Sequence, residues 1–451
     1  YEQLKKKMPV DIAGLSVIEG VGPKLIQELY KKLKITNVAE LEEAARAGKL
    51  RALPRMGERL EAKILKSIAF QKKSAGRMTL GEAQPISRAI IARLRKIPGV
   101  AAVESAGSLR RWQETIGDLD FLVIARDEKS VMRAFTSMSD VADVIARGDT
   151  KASVRLRSGI QADVRVLPPE SFGAALQYFT GSKDHNVELR KIAIAKGYKL
   201  NEYGLFKGTR RIAGRDEKEF YAKLGLDWMP PELRTNSGEL DAARAHKLPD
   251  LVGYDDVRGD CQTQTSWTDG KDTIEAMADE ARRIGREYIV ITDHSKNLAM
   301  THGSDEKQLR RQMADIAALN KKISGIRILT GVELDILKDG ALDLSDDVLA
   351  EADFVGASVH THFNLPIGEQ TARVIRAMES PHVDAVFHPA TRIIGKRDSI
   401  ALDFDAVFKA AARTGTMLEI DAHPWRLDLK DDLIRRAKTF GVKFLIDTDA
   451  H

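Results

Sequence analysis

The chain has 451 residues and a mass of 49.9 kDa, a length typical of about three domains. Hydrophobic residues make up 43% of it, and no apolar run approaches the roughly 20 residues of a membrane helix, so a membrane-spanning protein is excluded. A single cysteine, Cys261, excludes an intramolecular disulfide, and together with the lack of a signal peptide it predicts a cytoplasmic location. The net charge is +5, and residues 1–80 hold the basic surplus, with 17 Lys and Arg against 9 Asp and Glu.

Residues 1–75 are predicted to form short helices separated by glycine turns, with no strand pattern. Two turns resemble each other, residues 18–24 and 53–59, and an amphipathic run follows each. Glycines leave the backbone N–H groups at a helix start accessible to phosphate oxygens. One such turn is typical of an ordinary helical bundle, whereas two in a basic segment favour a helix-hairpin-helix that binds the DNA backbone. The candidate DNA contacts are Gly20, Gly22, Lys24, Gly57 and Arg59.

Residues 76–170 mix helices and strands, and the clearest strands are predicted at 117–124 and 160–167. Asp118 and Asp120 stand two residues apart on the first strand, so both carboxylates face the same way. Asp163 interrupts the second strand and completes a cluster of three carboxylates if the two strands pair. Such a cluster suits Mg²⁺ or Mn²⁺, and a pair of these ions is a usual means of phosphoryl transfer. Taken alone, Asp-x-Asp is more typical of a solvated loop.

A small-residue turn precedes these carboxylates, with the sequence Gly107-Ser108-Leu109-Arg110-Arg111. Its hydroxyl and two guanidiniums are able to hold a triphosphate. Helices predominate again to residue 233, and the polar stretch 234–252 is predicted to be a linker.

These motifs resemble, in order and spacing, those of the family X DNA polymerases, the polymerase beta group. The resemblance spans about residues 1 to 245, and it is carried by Gly107-Ser108, Arg111, 117–120, 163–165, 178–182, Asn186 and Arg190. It implies that Asp118, Asp120 and Asp163 hold both metals, with Asp163 helping to activate the primer 3′-OH.

The same resemblance implies how the incoming nucleotide is bound. Ser108 and Arg111 would grip the triphosphate in the turn that begins at Gly107. The remaining implied contacts are Tyr178, Phe179 and Gly181 along the sugar, Asn186 at the base, and Arg190 in the template minor groove. Asn186 and Arg190 are four residues apart, which places them on one helix face. Without the other motifs, Tyr178 and Phe179 would be interpreted as core aromatics.

Beyond residue 253 the pattern changes to strand followed by helix, which predicts an α/β architecture. Six apolar strands end in metal-capable residues, at 289–294, 329–333, 354–360, 386–388, 418–423 and 444–451. Ligands at the carboxyl ends of successive parallel strands build the active site of an α/β barrel. A lone histidine at a strand end is more often structural, but six such ends in register favour a metal site.

With the strand at 257–260, the set numbers seven and resembles the polymerase and histidinol phosphatase (PHP) domain of bacterial and archaeal family X enzymes. The implied Zn²⁺ or Mn²⁺ ligands are Asp269, His294, Glu333, His360, His388, Asp449 and His451. The family's first motif has two histidines where this chain has Gln262 and Gln264, and a carboxamide is a weak ligand, so a partial cluster is expected. Family members extend beyond both ends of this sequence, so we expect a clipped chain.

The sequence therefore predicts a multidomain α+β and α/β protein. Its expected parts are a helix-hairpin-helix region (1–75), a polymerase beta-like palm (76–170) and thumb (171–233), a linker (234–252), and a seven-stranded PHP barrel (253–451), clipped at its C-terminus. The predicted function is DNA-directed DNA polymerisation by two-metal phosphoryl transfer, filling short gaps in DNA repair. The expected partners are primer-template or gapped duplex DNA and dNTPs, with no membrane, and the chain is expected to be a monomer.

Two alternatives remain at this point. In the first, the barrel is a metal-dependent 3′-5′ exonuclease or phosphoesterase and the polymerase part is its DNA clamp. Gln262 and Gln264 count against it. In the second, the chain is a non-catalytic DNA-binding scaffold, which the intact set of polymerase motifs disfavours.

Overall fold

The computed structural model describes residues 10–16, 18, 20–53, 56–74 and 76–451. They divide into two compact units: one contains the N-terminal helices up to Lys73 together with Val252–His451, and the other contains Ser74–Leu251. Among the described residues, no helix combines the length and the apolar character that crossing a bilayer requires.

The N-terminal segment is helical, as the glycine-punctuated sequence predicts. Its helices are α1 (Ile12–Ser16), α2 (Pro23–Leu33), α3 (Val38–Arg46) and α4 (Glu58–Ser74). Asn37 caps α3 by accepting a hydrogen bond from the Glu40 N–H at 3.0 Å. Leu15, Leu29, Leu41 and Ile64 are fully buried and unite the helices in one core.

The second unit begins with a five-stranded sheet covered by helices. Its elements are β1 (Met78–Thr79), α5 (Leu80–Arg95), β2 (Val100–Ser105), α6 (Gly107–Arg110), β3 (Thr115–Ile116), β4 (Asp118–Ala125), α7 (Glu128–Thr136), β5 (Val141–Arg147), β6 (Lys151–Leu156) and β7 (Gln161–Val166). The sheet order is β2-β4-β7-β6-β5, and β4 pairs with β7 in parallel. Leu119, Phe121 and Val123 alternate along β4 and bury one face, which leaves Asp118 and Asp120 on the other.

The unit continues with helices around a small antiparallel sheet of order β10-β9-β8. The elements are α8 (Phe172–Thr180), α9 (Lys183–Ala195), β8 (Lys199–Asn201), β9 (Gly204–Lys207), β10 (Arg210–Ala213), α10 (Glu217–Lys223) and α11 (Glu239–Arg244). Ser182 caps α9 by accepting from the His185 N–H at 3.2 Å. Helix α11 lies in the segment predicted as a linker, and its Leu240 and Ala243 are buried in the core.

The remaining chain forms the predicted seven-stranded parallel barrel. Its elements are β11 (Gly259–Thr263), α12 (Ile274–Arg283), β12 (Tyr288–Ile291), α13 (Glu306–Leu319), β13 (Arg327–Asp335), α14 (Asp346–Leu349), β14 (Phe354–Ser358), α15 (Ile367–Met378), β15 (Ala385–Val386), α16 (Phe404–Thr414), β16 (Met417–Asp421), α17 (Asp431–Lys438) and β17 (Phe444–Asp447). The strands pair in chain order. The barrel nearly closes where the Gln264 N–H donates to the Ala450 carbonyl at 2.8 Å, which confirms the predicted architecture.

Candidate active sites

The palm sheet brings two of the three predicted carboxylates directly opposite each other. Asp120 on β4 is the register partner of Asp163 on β7, and Asp118 lies opposite Gln161. Burial, together with the negative charges of Asp118 and Asp163, raises the pKa of Asp120 to about 7. Carboxylates that repel one another in this way fit a site where a cation supplies the missing positive charge.

Neighbouring side chains fix the Asp163 carboxylate in place. Ser153 donates a hydrogen bond to Asp163 Oδ1, and Gln161 Nε2 donates to Asp163 Oδ2 at 3.1 Å. Gly107 has a φ of +62°, and a Cβ at this position would lie 2.7 Å from Asp120 Oδ2. Glycine is therefore needed here both for the backbone conformation and for the close approach of the carboxylate.

The segment predicted as a phosphate-binding turn forms a short helix, α6, over residues 107–110. It is joined to the palm strand, since the Ala106 N–H donates to the Asp120 carbonyl at 2.9 Å. Ser108 lies within α6, and Arg111 follows it and donates to the Thr180 carbonyl. Burial and the nearby Arg234 guanidinium lower the pKa of Arg111.

A buried ion-pair network behind α6 was not found from the sequence. Arg110 donates to both carboxylate oxygens of Glu217 at 3.0 and 2.8 Å, and to Thr180 Oγ1 at 2.8 Å. Arg234 is fully buried and donates to Glu217 Oε1 at 2.6 Å. Burial opposes ionisation of Glu217, but the hydrogen bonds and charges of the two arginines prevail and lower its pKa to about 2. Arg110 and Glu217 are 107 residues apart, so no spacing in the sequence indicates that they pair.

Most of the residues predicted to bind the nucleotide and the template line one open cleft of about 420 Å³, and Gly107 and Ser108 are not among its lining residues. The lining residues are Arg111, Tyr178, Phe179, Gly181, Lys183, Asn186, Val187 and Arg190. The rings of Tyr178 and Phe179 meet edge to face with centroids 5.1 Å apart. Asn186 Nδ2 donates to the Tyr178 carbonyl at 2.7 Å, and its Oδ1 accepts from Gln177 at 2.7 Å, so its amide is held in one orientation.

The glycine turns of the N-terminal segment precede α2 and α4. Gly22 caps α2, Lys24 is exposed in its first turn, and Gly57 directly precedes α4. A Cβ on Gly22 or Gly57 would meet nothing within 4 Å, so both turns face open space. Gly20 has a φ of +88°. The side chain of Arg59 lies outside the described residues.

Glu333 is the centre of the barrel site. It is buried, and its Oε1 lies 3.1 Å from His360 Nε2 and 3.0 Å from His388 Nε2. Its Oε2 lies 3.4 Å from His294 Nδ1 and accepts from Gln264 Nε2 at 2.9 Å. Burial opposes the charge of Glu333, but the surrounding imidazoles hold its pKa well below the ordinary value.

Two groups in the barrel have the geometry of metal ligands. Within the described part of the chain, the sets of three metal-capable side chains whose ligand atoms lie within 4.8 Å of one another are Asp269, His294 and His451, and His294, Glu333 and His360. The palm carboxylates, although paired in register, do not form such a set. Of the other predicted ligands, His388 contacts Glu333, and Asp449 Oδ2 lies 3.3 Å from Arg426 Nε.

The two glutamines are less suited to a metal. Gln262 and Gln264 are fully buried, and among the described residues both terminal atoms of Gln262 lack a hydrogen-bond partner. The donor set therefore fits an ion at Asp269, His294 and His451 better than an ion that depends on β11.

Three barrel residues were missed by sequence reasoning. Asp335 Oδ1 lies 2.5 Å from His360 Nδ1, Glu419 accepts from the His388 N–H, and Arg426 lies beside Asp449. Asp335 stands two residues after Glu333 on β13, a spacing that could have revealed it.

Three protein-family models match the chain. The matches are a SAM-like helix-hairpin-helix tandem over residues 14–69, a DNA polymerase beta thumb over 175–235 and a PHP domain over 260–420. Together they cover segments in the N-terminal helices, the second unit and the barrel.

Relatives match over the whole chain or over the barrel. The DNA polymerase/3'-5' exonuclease PolX of Bacillus subtilis (strain 168) is 37% identical over 454 residues, which cover 100% of this chain and 79% of that protein. A probable phosphatase of Thermoanaerobacter sp. (strain X514) is 31% identical over 189 residues, 40% of this chain and 72% of that protein. Among solved structures, Leishmania infantum polymerase beta in a ternary gap complex aligns with 50% of this chain and 89% of that chain, at 21% identity and a TM-score of 0.33.

Proposed function

The chain belongs to the family of the DNA polymerase/3'-5' exonuclease PolX, and on that premise we propose that it is a DNA-directed DNA polymerase that fills short gaps during DNA repair. The observation that carries the proposal is the parallel register of β4 and β7, which sets Asp120 opposite Asp163. We assign residues 1–75 to the helix-hairpin-helix region, 76–170 to the palm, 171–233 to the thumb and 253–451 to the PHP barrel. The segment 234–252, predicted as a linker, belongs largely to the second unit, because α11 packs into its core.

Divalent metal ions fit the palm site, because its half-buried carboxylates repel one another. We assign Asp118, Asp120 and Asp163 as ligands of Mg²⁺ or Mn²⁺. Bound there, the ions would neutralise charge on the transferring phosphoryl group. Asp163, oriented by Ser153 and Gln161, would help to activate the primer 3′-OH.

The cleft beside α6 is assigned to the incoming dNTP. Ser108 and Arg111 would hold the triphosphate, since a guanidinium and a hydroxyl are strong phosphate donors and Arg111 is anchored on Thr180. The other assigned contacts are Gly107 in the same turn, Tyr178, Phe179 and Gly181 at the sugar, Asn186 at the base and Arg190 at the template. The glycine turns before α2 and α4 would bind the backbone of primer-template or gapped duplex DNA, and we assign a monomer that acts in the cytoplasm.

We assign the barrel a weak or absent 3′-5′ exonuclease activity with a partial Zn²⁺ or Mn²⁺ cluster. The assigned ligands are Asp269, His294, Glu333, His360, His388, Asp449 and His451. The convergence of Asp269, His294 and His451 supports binding of an ion. The buried carboxamides of Gln262 and Gln264 count against a complete cluster, and hydrolysis by such a site needs several ions acting together.

Primer extension on a gapped duplex, with Mg²⁺ and with Mn²⁺, tests the polymerase assignment. Asp120→Asn removes one negative charge from the metal site, so we expect nucleotide addition to fall about 100-fold or more while DNA affinity hardly changes. The matched control is Asp149→Asn, an exposed carboxylate before β6, which should extend normally. Near-normal extension by folded Asp120→Asn would contradict the assignment. Primer degradation in the same reactions tests the barrel.

A further inference from the structure

A basic pocket lies beside the loops that follow β14 and β15 and is bordered by helix α4. This cavity of about 90 Å³ is lined by Lys63 and Lys66 of α4 and by Lys396, Arg397 and Asp398 of the β15 loop. Four cationic side chains and one carboxylate thus line the cavity, and Lys66 Nζ pairs with Asp398 Oδ2 at 2.9 Å. The surplus of positive charge and the size of the cavity suit a phosphate group.

An exposed indole adjoins this basic pocket. Trp425 is 47% exposed, and Lys396 Nζ lies 4.8 Å from the centroid of its ring. A backbone hydrogen bond joins Trp425 to the loop that lines the pocket, since the Ile394 N–H donates to the Trp425 carbonyl at 2.7 Å. Proteins that bind unpaired nucleotides combine an aromatic ring, on which a base stacks, with cations that hold the phosphate. The half-exposed Trp425 beside a basic cavity of phosphate size provides both features.

The chemistry favours a single strand over a duplex. In a duplex the base faces are covered by stacking, so an indole can reach them only where the strand is unpaired. Helix α4 is the helix that follows the second glycine turn, and the β14 and β15 loops begin near His360 and His388. A strand held here would therefore run from the DNA-binding helices toward the mouth of the barrel.

We propose that the basic pocket and Trp425 form a binding site for an unpaired DNA strand, with a phosphate in the pocket and a base on the indole. The proposal rests on the proposed function, which makes DNA the substrate. An unpaired strand can come from the primer 3′ end or from the template overhang. The two sources share this chemistry and differ in strand direction: the primer ends in an unpaired 3′ tail, and the template overhang is an unpaired 5′ tail.

The test measures the affinity of the full chain for three labelled duplexes in EDTA: one with a 3′ oligothymidine tail, one with a 5′ tail, and one blunt. Trp425→Ala should weaken binding of a tailed duplex about tenfold, and Trp425→Phe should restore most of it, because any aromatic face stacks. Lys396→Gln should lower the slope of log affinity against log salt by about 0.7. The matched control is Lys443→Gln, an exposed lysine at the opposite end of the barrel strands, before β17.

A loss confined to the 3′ tail supports a site for the primer end, and an equal loss on both tails supports a site for either unpaired strand. Unchanged affinity in all variants, or the same loss on the blunt duplex, overturns the proposal. Extension of an untailed gapped duplex by the parent chain is measured in parallel and tests the polymerase function separately. If the parent chain does not extend the primer, the proposed polymerase function fails, but the measured affinities for the tailed duplexes still decide the binding site.

Discussion

Glu217 is a buried carboxylate that holds two arginines from different parts of the second unit. Arg110 reaches it from the end of α6 and Arg234 from beyond α10, so the ion pairs tie the proposed phosphate-binding helix to the elements that follow it. Removal of one partner from a buried ion pair leaves the other charge uncompensated, and this is among the costlier single changes a protein can suffer. Glu217 is therefore a positioning residue for α6.

Glu217→Gln should lower stability at neutral pH. The folded pKa of about 2 lies below the ordinary value of 4.5, so this stabilisation is present above pH 4.5 and is lost as the pH falls toward 2. A difference of this size corresponds to about 3 kcal/mol, or a fall in melting temperature of about 5 to 10 °C at pH 7. Calorimetric melting at pH 7 and pH 4 should show the gap between parent and variant narrowing at the lower pH.

Glu219→Gln on the same helix is the control. Glu219 is exposed, so this variant should have the melting temperature of the parent. An equal melting temperature for Glu217→Gln and the parent at pH 7 would show that the network contributes no net stability.

The residues of the candidate sites were predictable to different degrees. Asp118, Asp120 and Asp163 could be found because alternation along a strand fixes which side each carboxylate faces. The ion pairs of Glu217 could not, since Arg110 is 107 residues away along the chain and meets Glu217 only through the packing of the folded unit. Gln264 was predicted as a weak ligand, but its hydrogen bond to Glu333 follows only from the closed barrel.

At the scale of elements, the two glycine turns give helices whose first residues face open space. Lys24 is exposed one residue after Pro23, at the position where a cation reinforces the attraction of a helix start for phosphate. The proposed contact is to the DNA backbone, so it should be independent of DNA sequence.

Lys24→Ala should weaken DNA binding equally for different sequences and lower the slope of log affinity against log salt by about 0.9. The single-turnover rate of extension at saturating DNA should be unchanged, because the metal site is untouched. Fluorescence anisotropy at several salt concentrations measures the slope, with Lys32→Ala in the last turn of α2 as the matched control. If the slopes of Lys24→Ala and Lys32→Ala are the same, the first turn has a purely structural role.

Elements with strong periodicity were predicted well, and those fixed by packing were not. The strands expected at 117–124 and 160–167 form at Asp118–Ala125 and Gln161–Val166, because their alternating apolar residues specify both the strand and its buried face. The polar stretch 234–252 gave no helix signal, yet α11 forms there because Leu240 and Ala243 fill the adjacent core.

At the scale of the whole molecule, the chain contains two sites with different ligand chemistry. The palm offers carboxylates alone, which suit hard cations, whereas the barrel mixes imidazoles and carboxylates. The sites lie in separate compact units, so their metal requirements can be varied independently. Both the sequence and the geometry argue against a complete metal cluster in the barrel, because Gln262 and Gln264 occupy two of the ligand positions.

Gln262→His together with Gln264→His should raise the metal content of the protein and create or increase Mn²⁺-dependent 3′-5′ exonuclease activity. Imidazole is a strong ligand where the carboxamide is weak, and at 262 it replaces a buried amide whose terminal atoms have no partner among the described residues. Replacement at 264 also removes an amide hydrogen bond from Glu333 Oε2, freeing that oxygen for an ion. Metal analysis by mass spectrometry and degradation of a labelled primer measure the two effects.

Extension should be unchanged in this double variant, because the palm carboxylates belong to the other unit. Asp449→Ala added to the double variant should abolish the gained exonuclease activity, whereas Asp120→Asn should leave it intact and remove extension only. The interpretation of the barrel is wrong if the unmodified chain already degrades primers strongly and loses that activity with Asp449→Ala. In that case the glutamines are tolerated, and the ions that neutralise the phosphate must be held by the remaining histidines and carboxylates.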